Sequence, residues 1–208
     1  MNNRRTAFSM VHLEALASSS FASLTLLNLV GRGEPMMVGL PLWLRLTELL
    51  RTHDVLMTCV TNGTFLRKRL TPDVLPLIDT LTLSIDGTDA ATFAENRGGA
   101  SLENWLNNLQ YFNDMRRKSG LLRRPRLGLS WTLKRNNIHQ FPDFIRLALK
   151  YDADLLYIRH LFVFHEKDEA QSLVGEPVLT NRYLREGYTL LKGHRMKLDA
   201  VPLSVETL

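Results

Sequence analysis

The sequence predicts an α/β protein built on a parallel β-sheet. Five apolar runs of strand length support this prediction, because helix-like patterns separate them along the chain. The runs span 23–30, 55–60, 80–85, 126–133 and 155–164. Three of them end in polar turns that contain glycine, and α/β folds gather their ligand-binding loops at such strand ends. We expect strands that are apolar on both faces and covered by helices.

Composition indicates one domain without a membrane segment. The chain has 208 residues, of which 45% are hydrophobic, and this is enough for one sizeable core. Its longest apolar stretch, 23–30, is far shorter than the ~20 residues that a membrane helix requires. The single cysteine excludes an internal disulfide framework, and no secretory signal is present. These features predict a soluble protein of the reducing cytoplasm.

Helix patterns fill the intervals between the runs. A leucine-rich segment over 40–53 follows the first run, and Thr71-Pro72-Asp73 is typical of a helix start with proline in the first turn. That second helix is expected to be short and to end at Ile78. Ser101 begins a long amphipathic helix with apolar residues at helical spacing. A further helix is predicted over 137–151.

The two ends of the chain carry weaker patterns. Residues 1–20 hold at most one helix, and 165–177 is polar and predicted to be a loop. A helix is expected over 180–192, followed by a possible last strand over 196–201. We divide the chain into an N-terminal helix or remnant over 1–22, a βα core over 23–164 and a C-terminal extension over 165–208.

The turn after the first run is the first candidate binding element. Gly31 and Gly33 allow the backbone to approach a ligand closely, Glu34 offers an acceptor, and Pro35 stiffens the exit. This combination suits a ligand ammonium group. The dinucleotide-binding fingerprint Gly-x-Gly-x-x-Gly is not met, since Met36 occupies the position of its last glycine.

Two further candidate elements end the next two runs. Thr61 and Asn62 come directly after the second run and begin a Thr-Asn-Gly turn. Ser84 and Asp86 flank Ile85, so their side chains point to one face at the end of the third run. A hydroxyl and a carboxylate placed in this way could bind a ribose.

The order of these motifs over 23–164 resembles the radical SAM superfamily, in particular its peptide-modifying and sulfatase-maturing branch with a SPASM-type tail. The resemblance implies a partial (β/α)6 barrel with a parallel sheet, whose first strand is missing. It also implies that the 31–35 turn holds the amino group of S-adenosylmethionine. Ser84 and Asp86 would then lie near the ribose of this cofactor.

The same resemblance implies two more ligand residues. The segment Glu95-Asn96-Arg97-Gly98 is similar to the family's Arg-Gly element, in which the arginine lies near the ligand carboxylate. Asn136 or Asn137 looks like the asparagine that follows the next strand. A peptide or protein is the substrate that this branch implies.

The resemblance also implies a cofactor that this chain is not equipped to hold. The family binds a [4Fe–4S] cluster through three cysteines spaced C-x3-C-x2-C, and this chain has only Cys59, which the pattern places in a core strand. His160, His165 and Glu166 are too loosely spaced to predict a metal site. We therefore assign no catalytic residue and no metal ligand. The chain would be a fragment of a longer enzyme or a degenerate homologue without the cluster, inactive by itself.

Other functions remain open from the sequence. One is a non-catalytic module that binds S-adenosylmethionine or a nucleotide or acts as a scaffold; another is a basic α/β protein that binds RNA. The net charge is +5, and six basic residues cluster at 116, 117, 118, 123, 124 and 126. We interpret this cluster as a solvated basic loop at a helix end, which argues against nucleic acid as the partner. The sheet edge at 23–30 is expected to be unpaired and to favour self-association.

Overall fold

The computed structural model describes residues 8–31, 33–122 and 125–200, and its strands form one parallel sheet. The strands follow chain order across the sheet, so each lies beside its neighbours in sequence. They are β1 (Leu26–Leu29), β2 (Leu56–Thr61), β3 (Ile78–Ser84), β4 (Arg126–Leu133), β5 (Leu155–His160) and β6 (Lys197–Asp199). The predicted α/β fold and its parallel sheet are confirmed, including the last strand.

Helices connect the parallel strands, because two parallel strands cannot be joined by a short hairpin. In the described residues the α-helices are α1 (Met10–Ser20), α2 (Leu40–Thr52), α3 (Leu66–Arg69), α4 (Ala90–Asn96), α5 (Leu102–Lys118), α6 (Phe141–Lys150), α7 (Glu166–Glu169) and α8 (Pro177–Leu190). The side chain of Ser101 accepts a hydrogen bond from the Asn104 amide at 3.2 Å, which confirms the predicted start of α5. The short helices α3, α4 and α7 were not predicted.

The helix expected over 71–78 is wrong. The chain makes a turn there, in which the Thr71 hydroxyl donates to the Asp73 carboxylate at 2.6 Å. A single 3-10 turn, Leu75–Leu77, follows, and Ile78 already begins β3. The physical reason is Pro76, because a second proline removes a backbone donor that a longer helix would need.

The expectation of a sheet that is apolar on both faces is also wrong. Burial alternates along β2, with Met57 and Cys59 fully buried and Thr58 and Val60 half-buried. The register carries this alternation across the sheet and separates an apolar face from a polar one. We call the second surface the polar face; it presents the side chains of Asn28, Thr58, Thr80, Thr82, Ser84, Ser130, Thr132, Tyr157 and Arg159.

The apolar face packs against the helices and forms the core. The ring of Trp131 on β4 lies 4.8 Å from that of Phe144 on α6, and the Phe141 ring lies 5.7 Å from Tyr188 on α8. The tryptophans predicted to be in the core, Trp43, Trp105 and Trp131, are all buried. The apolar side chains of the sheet therefore lie on the side that packs against these helices.

The basic cluster differs from its prediction at one central residue. Arg116 is 1% exposed, and its Nη1 donates to Asp154 at 2.6 Å while its Nε donates to Asn113 at 2.8 Å. Arg126 pairs with Asp79 across neighbouring strands. Arg116 is thus a structural residue and not part of a solvated loop; positions 123 and 124 lie outside the described residues.

The β1 edge of the sheet and the character of the helices bear on whether this chain contacts other chains or a membrane. In the described residues β1 pairs with β2 alone, and its Leu26 side chain is exposed. None of the described helices combines the length and the apolar character that crossing a membrane would demand.

Candidate functional site

The carboxylate of Glu34 is fixed over the end of β2. Glu34 caps the 3-10 turn Pro35–Met37, where its Oε1 accepts from the Met36 amide at 3.2 Å. The same oxygen accepts from the Thr61 hydroxyl at 2.5 Å, and Oε2 accepts from the Asn62 amide at 2.7 Å. A carboxylate offers about four lone-pair positions, so one remains for a ligand donor. Glu34, Thr61 and Asn62 therefore form one unit.

Local turn chemistry shapes both chain segments of this unit. Gly33 has a φ of +112°, which a residue with a side chain rarely adopts, and Pro35 fixes the first position of the following turn. In the second segment the Asn62 side chain accepts from the Thr64 amide at 2.9 Å. Its amide oxygen is thus used to close the turn. Gly31 lies in an open position where an added Cβ would meet nothing within 4 Å.

Asp86 is the centre of a second unit at the end of β3. It is 5% exposed, and its Oδ1 accepts from the Thr132 amide of β4 at 2.7 Å. Its Oδ2 lies 3.0 Å from Nη2 of Arg97, which follows α4. The backbone oxygen of Asp86 accepts from the side chains of Asn96 and Asn137 at 2.7 Å and 3.1 Å. The carboxylate therefore joins β3, β4 and α4.

Asn136 belongs to the same unit through Asn96. The two side-chain amides exchange hydrogen bonds at 3.3 Å, and Lys134 Nζ donates to Asn96 at 3.0 Å. The neighbouring Asn137 is fully buried and contacts Asp86 directly. Sequence reasoning named either Asn136 or Asn137 and missed Asn96 and Lys134. The position of Asn96 beside Arg97 was the available signal.

Ser84 lies on the polar face and apart from both units. Its hydroxyl accepts from Ser130 on β4 at 3.0 Å. Thr61 is opposite Leu83 in the register of β2 and β3, so the Thr61 side chain lies on the helix-covered side. The structure thus unites Glu34 with Thr61 and Asn62, and Asp86 with Arg97 and Asn136, while Ser84 faces the other side of the sheet from Thr61.

The residues present do not fit a [4Fe–4S] cluster. Cys59 is the one cysteine in the sequence, it is fully buried, and it lies opposite Leu29 and Leu81 on the neighbouring strands. Burial raises the pKa of its thiol to about 12, with a smaller contribution from the charge of Glu34. Such a thiol is neither ionised nor accessible at neutral pH. Within the described ranges, no group of three His, Cys, Asp or Glu residues is placed to hold a metal ion.

Comparison with solved structures identifies relatives of this fold. An anSMEcpe structure with bound AdoMet has a TM-score of 0.68 at 16% identity, over 93% of this chain and 53% of that one. SuiB from Streptococcus suis, bound to S-adenosylmethionine, has a TM-score of 0.60 at 14% identity, over 85% and 39%. TYW1 with a lysine–pyruvate adduct has a TM-score of 0.53 at 20% identity, over 81% and 50%.

These neighbours are radical SAM enzymes. The chain has the radical SAM fold. At these identities the likeness concerns the fold alone, and the chain spans about half the length of the anSMEcpe chain. No protein-family model matches the sequence, and no curated protein matches it. The predicted partial barrel is confirmed by this likeness.

Proposed function

We propose that this chain is a radical SAM-type domain that binds S-adenosylmethionine at the carboxyl ends of its strands and is not catalytic by itself. The whole protein would act on a peptide or protein, as in the branch with a SPASM-type tail. The alternative of a binding or scaffold module without radical chemistry shares the same ligand site. Glu34, held by Thr61 and Asn62, is the observation that carries the proposal.

The fixed carboxylate supports recognition of an ammonium group. Three hydrogen bonds orient Glu34 before any ligand arrives, so little side-chain entropy is lost on binding. Gly31 and Gly33 leave space around the turn for the ligand's amino end. On the next strands, Asp86 orients Arg97 through their ion pair, and Asn136 adjoins them through Asn96. Arg97 would then hold a ligand carboxylate, while Ser84 would approach the ribose from the polar face.

A peptide partner is the second part of the proposal. SuiB has been solved bound to its precursor peptide SuiA, and anSMEcpe has been solved with AdoMet and the Kp18Cys peptide. The polar face of the present sheet is rich in Ser and Thr hydroxyls, and most of its side chains are exposed or half-buried. Hydroxyls of this kind can pair with the backbone groups of an extended peptide. Nucleic acid is a weaker candidate, because Arg116 is buried.

Calorimetry with S-adenosylmethionine tests the ligand site. We expect weak, saturable binding to the wild-type chain and a loss of about tenfold or more for Glu34→Gln, because the charge facing the ammonium is removed. Glu48→Gln is the matched control, since Glu48 is an exposed residue of α2 that pairs with Arg45. Asp86→Ala should also weaken binding by releasing Arg97. Equal heats for the wild-type chain and for Glu34→Gln would reject the site.

Anaerobic reconstitution with iron and sulfide tests the proposal that this chain is not catalytic by itself. With one buried thiol, the purified chain should retain no stoichiometric cluster and should form no 5′-deoxyadenosine from S-adenosylmethionine. Iron analysis and chromatography of the nucleoside products are the measurements. Four irons per chain together with 5′-deoxyadenosine formation would contradict the proposal.

A further inference from the structure

A polar cleft lies beside the strand-end site, between the turn after β2 and the helices α4 and α5. Its volume is about 730 Å³. We call it the asparagine cleft, because five asparagines contribute to its walls. Its lining residues that matter here are Arg67, Arg97, Asn104, Trp105 and Asn108. No Asp or Glu among the described residues lines it, so its formal charge is positive.

Two residues of the asparagine cleft carry unsatisfied N–H donors. Nε1 of Trp105 and Nε of Arg97 are both shielded from water, and neither has a hydrogen-bond acceptor in the described part of the chain. Trp105 is 4% exposed and packs against Phe93, with ring centroids 6.1 Å apart. A buried donor without an acceptor costs stability. An acceptor that enters the cleft would recover this cost.

The opposite wall is formed by the turn after β2 and by Arg67. Gly63 has a φ of +81°, and a Cβ added there would lie 3.5 Å from Trp105 Nε1, so the turn backbone passes close to the indole. Asn108 donates to the Gly63 oxygen at 2.9 Å and accepts from Arg67 Nε at 3.0 Å. Arg67 also lies 5.1 Å from the Tyr111 ring. Arg67 thus has its position fixed by amide oxygens and an aromatic ring, without a carboxylate among the described residues.

We infer that the asparagine cleft binds an oxyanion, either a carboxylate or a phosphate, through Trp105, with Arg67 supplying positive charge. The first turn of the 17-residue helix α5 contributes to the same wall, and its positive end favours an anion. The inference goes beyond the proposed S-adenosylmethionine site, in which Glu34 faces the ammonium group and Arg97 faces the carboxylate. The two sites adjoin at Asn62 and Arg97.

The indole N–H signals in a ¹⁵N-correlated NMR spectrum provide the test. The sequence holds three tryptophans, and Trp105→Phe assigns the relevant signal. Titration with sodium phosphate, and separately with sodium acetate, should shift the Trp105 signal saturably for at least one anion, against sodium chloride at equal ionic strength. Trp43, which donates to the Arg69 oxygen, and Trp131, which does not line the cleft, are internal controls.

A charge variant makes the test specific. Asn104→Asp adds a negative charge to the cleft at an exposed position in the first turn of α5, where an acidic residue suits the helix. We expect this variant to fold as well as the wild-type chain and to bind the anion about tenfold or more weakly. Asn28→Asp makes the same change on β1, outside the cleft, and should leave the response intact.

The outcomes separate this inference from the proposed function. A saturable response to phosphate alone identifies a phosphate group as the ligand, and a response to acetate alone identifies a carboxylate. Glu34→Gln should keep the anion response while it loses S-adenosylmethionine binding. A Trp105 signal that neither anion moves, or that moves together with those of Trp43 and Trp131, would overturn the inference.

Discussion

The carboxylate of Asp86 and the guanidinium of Arg97 form an ion pair at the carboxyl end of β3, with Oδ2 and Nη2 3.0 Å apart. The Asp86 side chain is 7% exposed, so water screens the pair only slightly. The pair links the strand end to the residue after α4. It therefore fixes the position of a cation that borders both the strand-end site and the asparagine cleft.

A double-mutant cycle measures the strength of this pair. We expect Asp86→Asn, Arg97→Gln and the double variant to give a coupling free energy of about 1–3 kcal/mol in urea unfolding. The same cycle on Arg135 and Glu176, an exposed pair 2.8 Å apart, should give less than about 1 kcal/mol. Equal coupling in the two cycles would show that burial adds nothing to the Asp86–Arg97 pair.

The glycine after Asp86 is expected to be required for packing. A Cβ on Gly87 would lie 2.4 Å from the Phe93 amide nitrogen and 2.8 Å from the Phe93 Cα, so α4 would have to move. Gly87→Ala should lower the free energy of unfolding by about 1–3 kcal/mol. Gly31→Ala is the control, because its Cβ would meet nothing within 4 Å. Thermal unfolding of both variants decides the point, and similar losses would refute the close-approach argument.

Buried Arg116 is expected to be a major determinant of stability. Its removal breaks the ion pair with the partly buried Asp154 and takes away the hydrogen bond that Arg116 donates to the Tyr151 oxygen at 3.1 Å. We expect Arg116→Ala to destabilise the fold by about 3–5 kcal/mol. The adjacent Arg117 is half exposed, so Arg117→Ala should change stability by less than about 0.5 kcal/mol. Chemical denaturation separates the two, and a small effect at Arg116 would contradict its structural role.

Alkaline pH should destabilise the chain through Cys59. Burial raises the pKa of this thiol from 9.0 to about 12, so between these values the unfolded chain loses the proton while the folded chain keeps it. The folded state then binds more protons, and stability falls as pH rises through this window. At pH 10 the loss from this group is about 1 kcal/mol. The free energy of unfolding should therefore fall less between pH 8 and pH 10 for Cys59→Ala than for the wild-type chain.

The β1 edge should support self-association, as the sequence predicted. The strand pairs on one side only in the described residues, and Leu26 on it is 47% exposed. We expect a sedimentation coefficient that rises with protein concentration. Leu26→Lys should suppress the rise, because a lysine discourages strand pairing at an edge. Leu44→Lys, at a 57% exposed position of α2, should not. A monomer at every concentration would rule out this use of the edge.

The sequence by itself determined where the strands lie and which turns end them. Apolar runs flanked by glycine turns are local signals, so β1 to β5 were found close to their observed positions, and Ser101 marked the start of α5. The same local reasoning failed at 71–78, where Pro76 stopped a helix that Thr71 and Pro72 had suggested. Whether a segment forms a helix depends on all of its residues, and one proline can prevent a helix whose first residues favour it.

The tertiary structure alone decided which groups face one another. The sequence could place Ser84 and Asp86 on one face, but the register of β2 and β3 put Thr61 on the other, against the helices. The ion pair of Arg97 with Asp86 and the burial of the Trp105 indole N–H both depend on how separate segments of the chain pack together. Such contacts depend on how helices dock on a sheet, and helix docking follows from packing of the whole core and not from any local pattern.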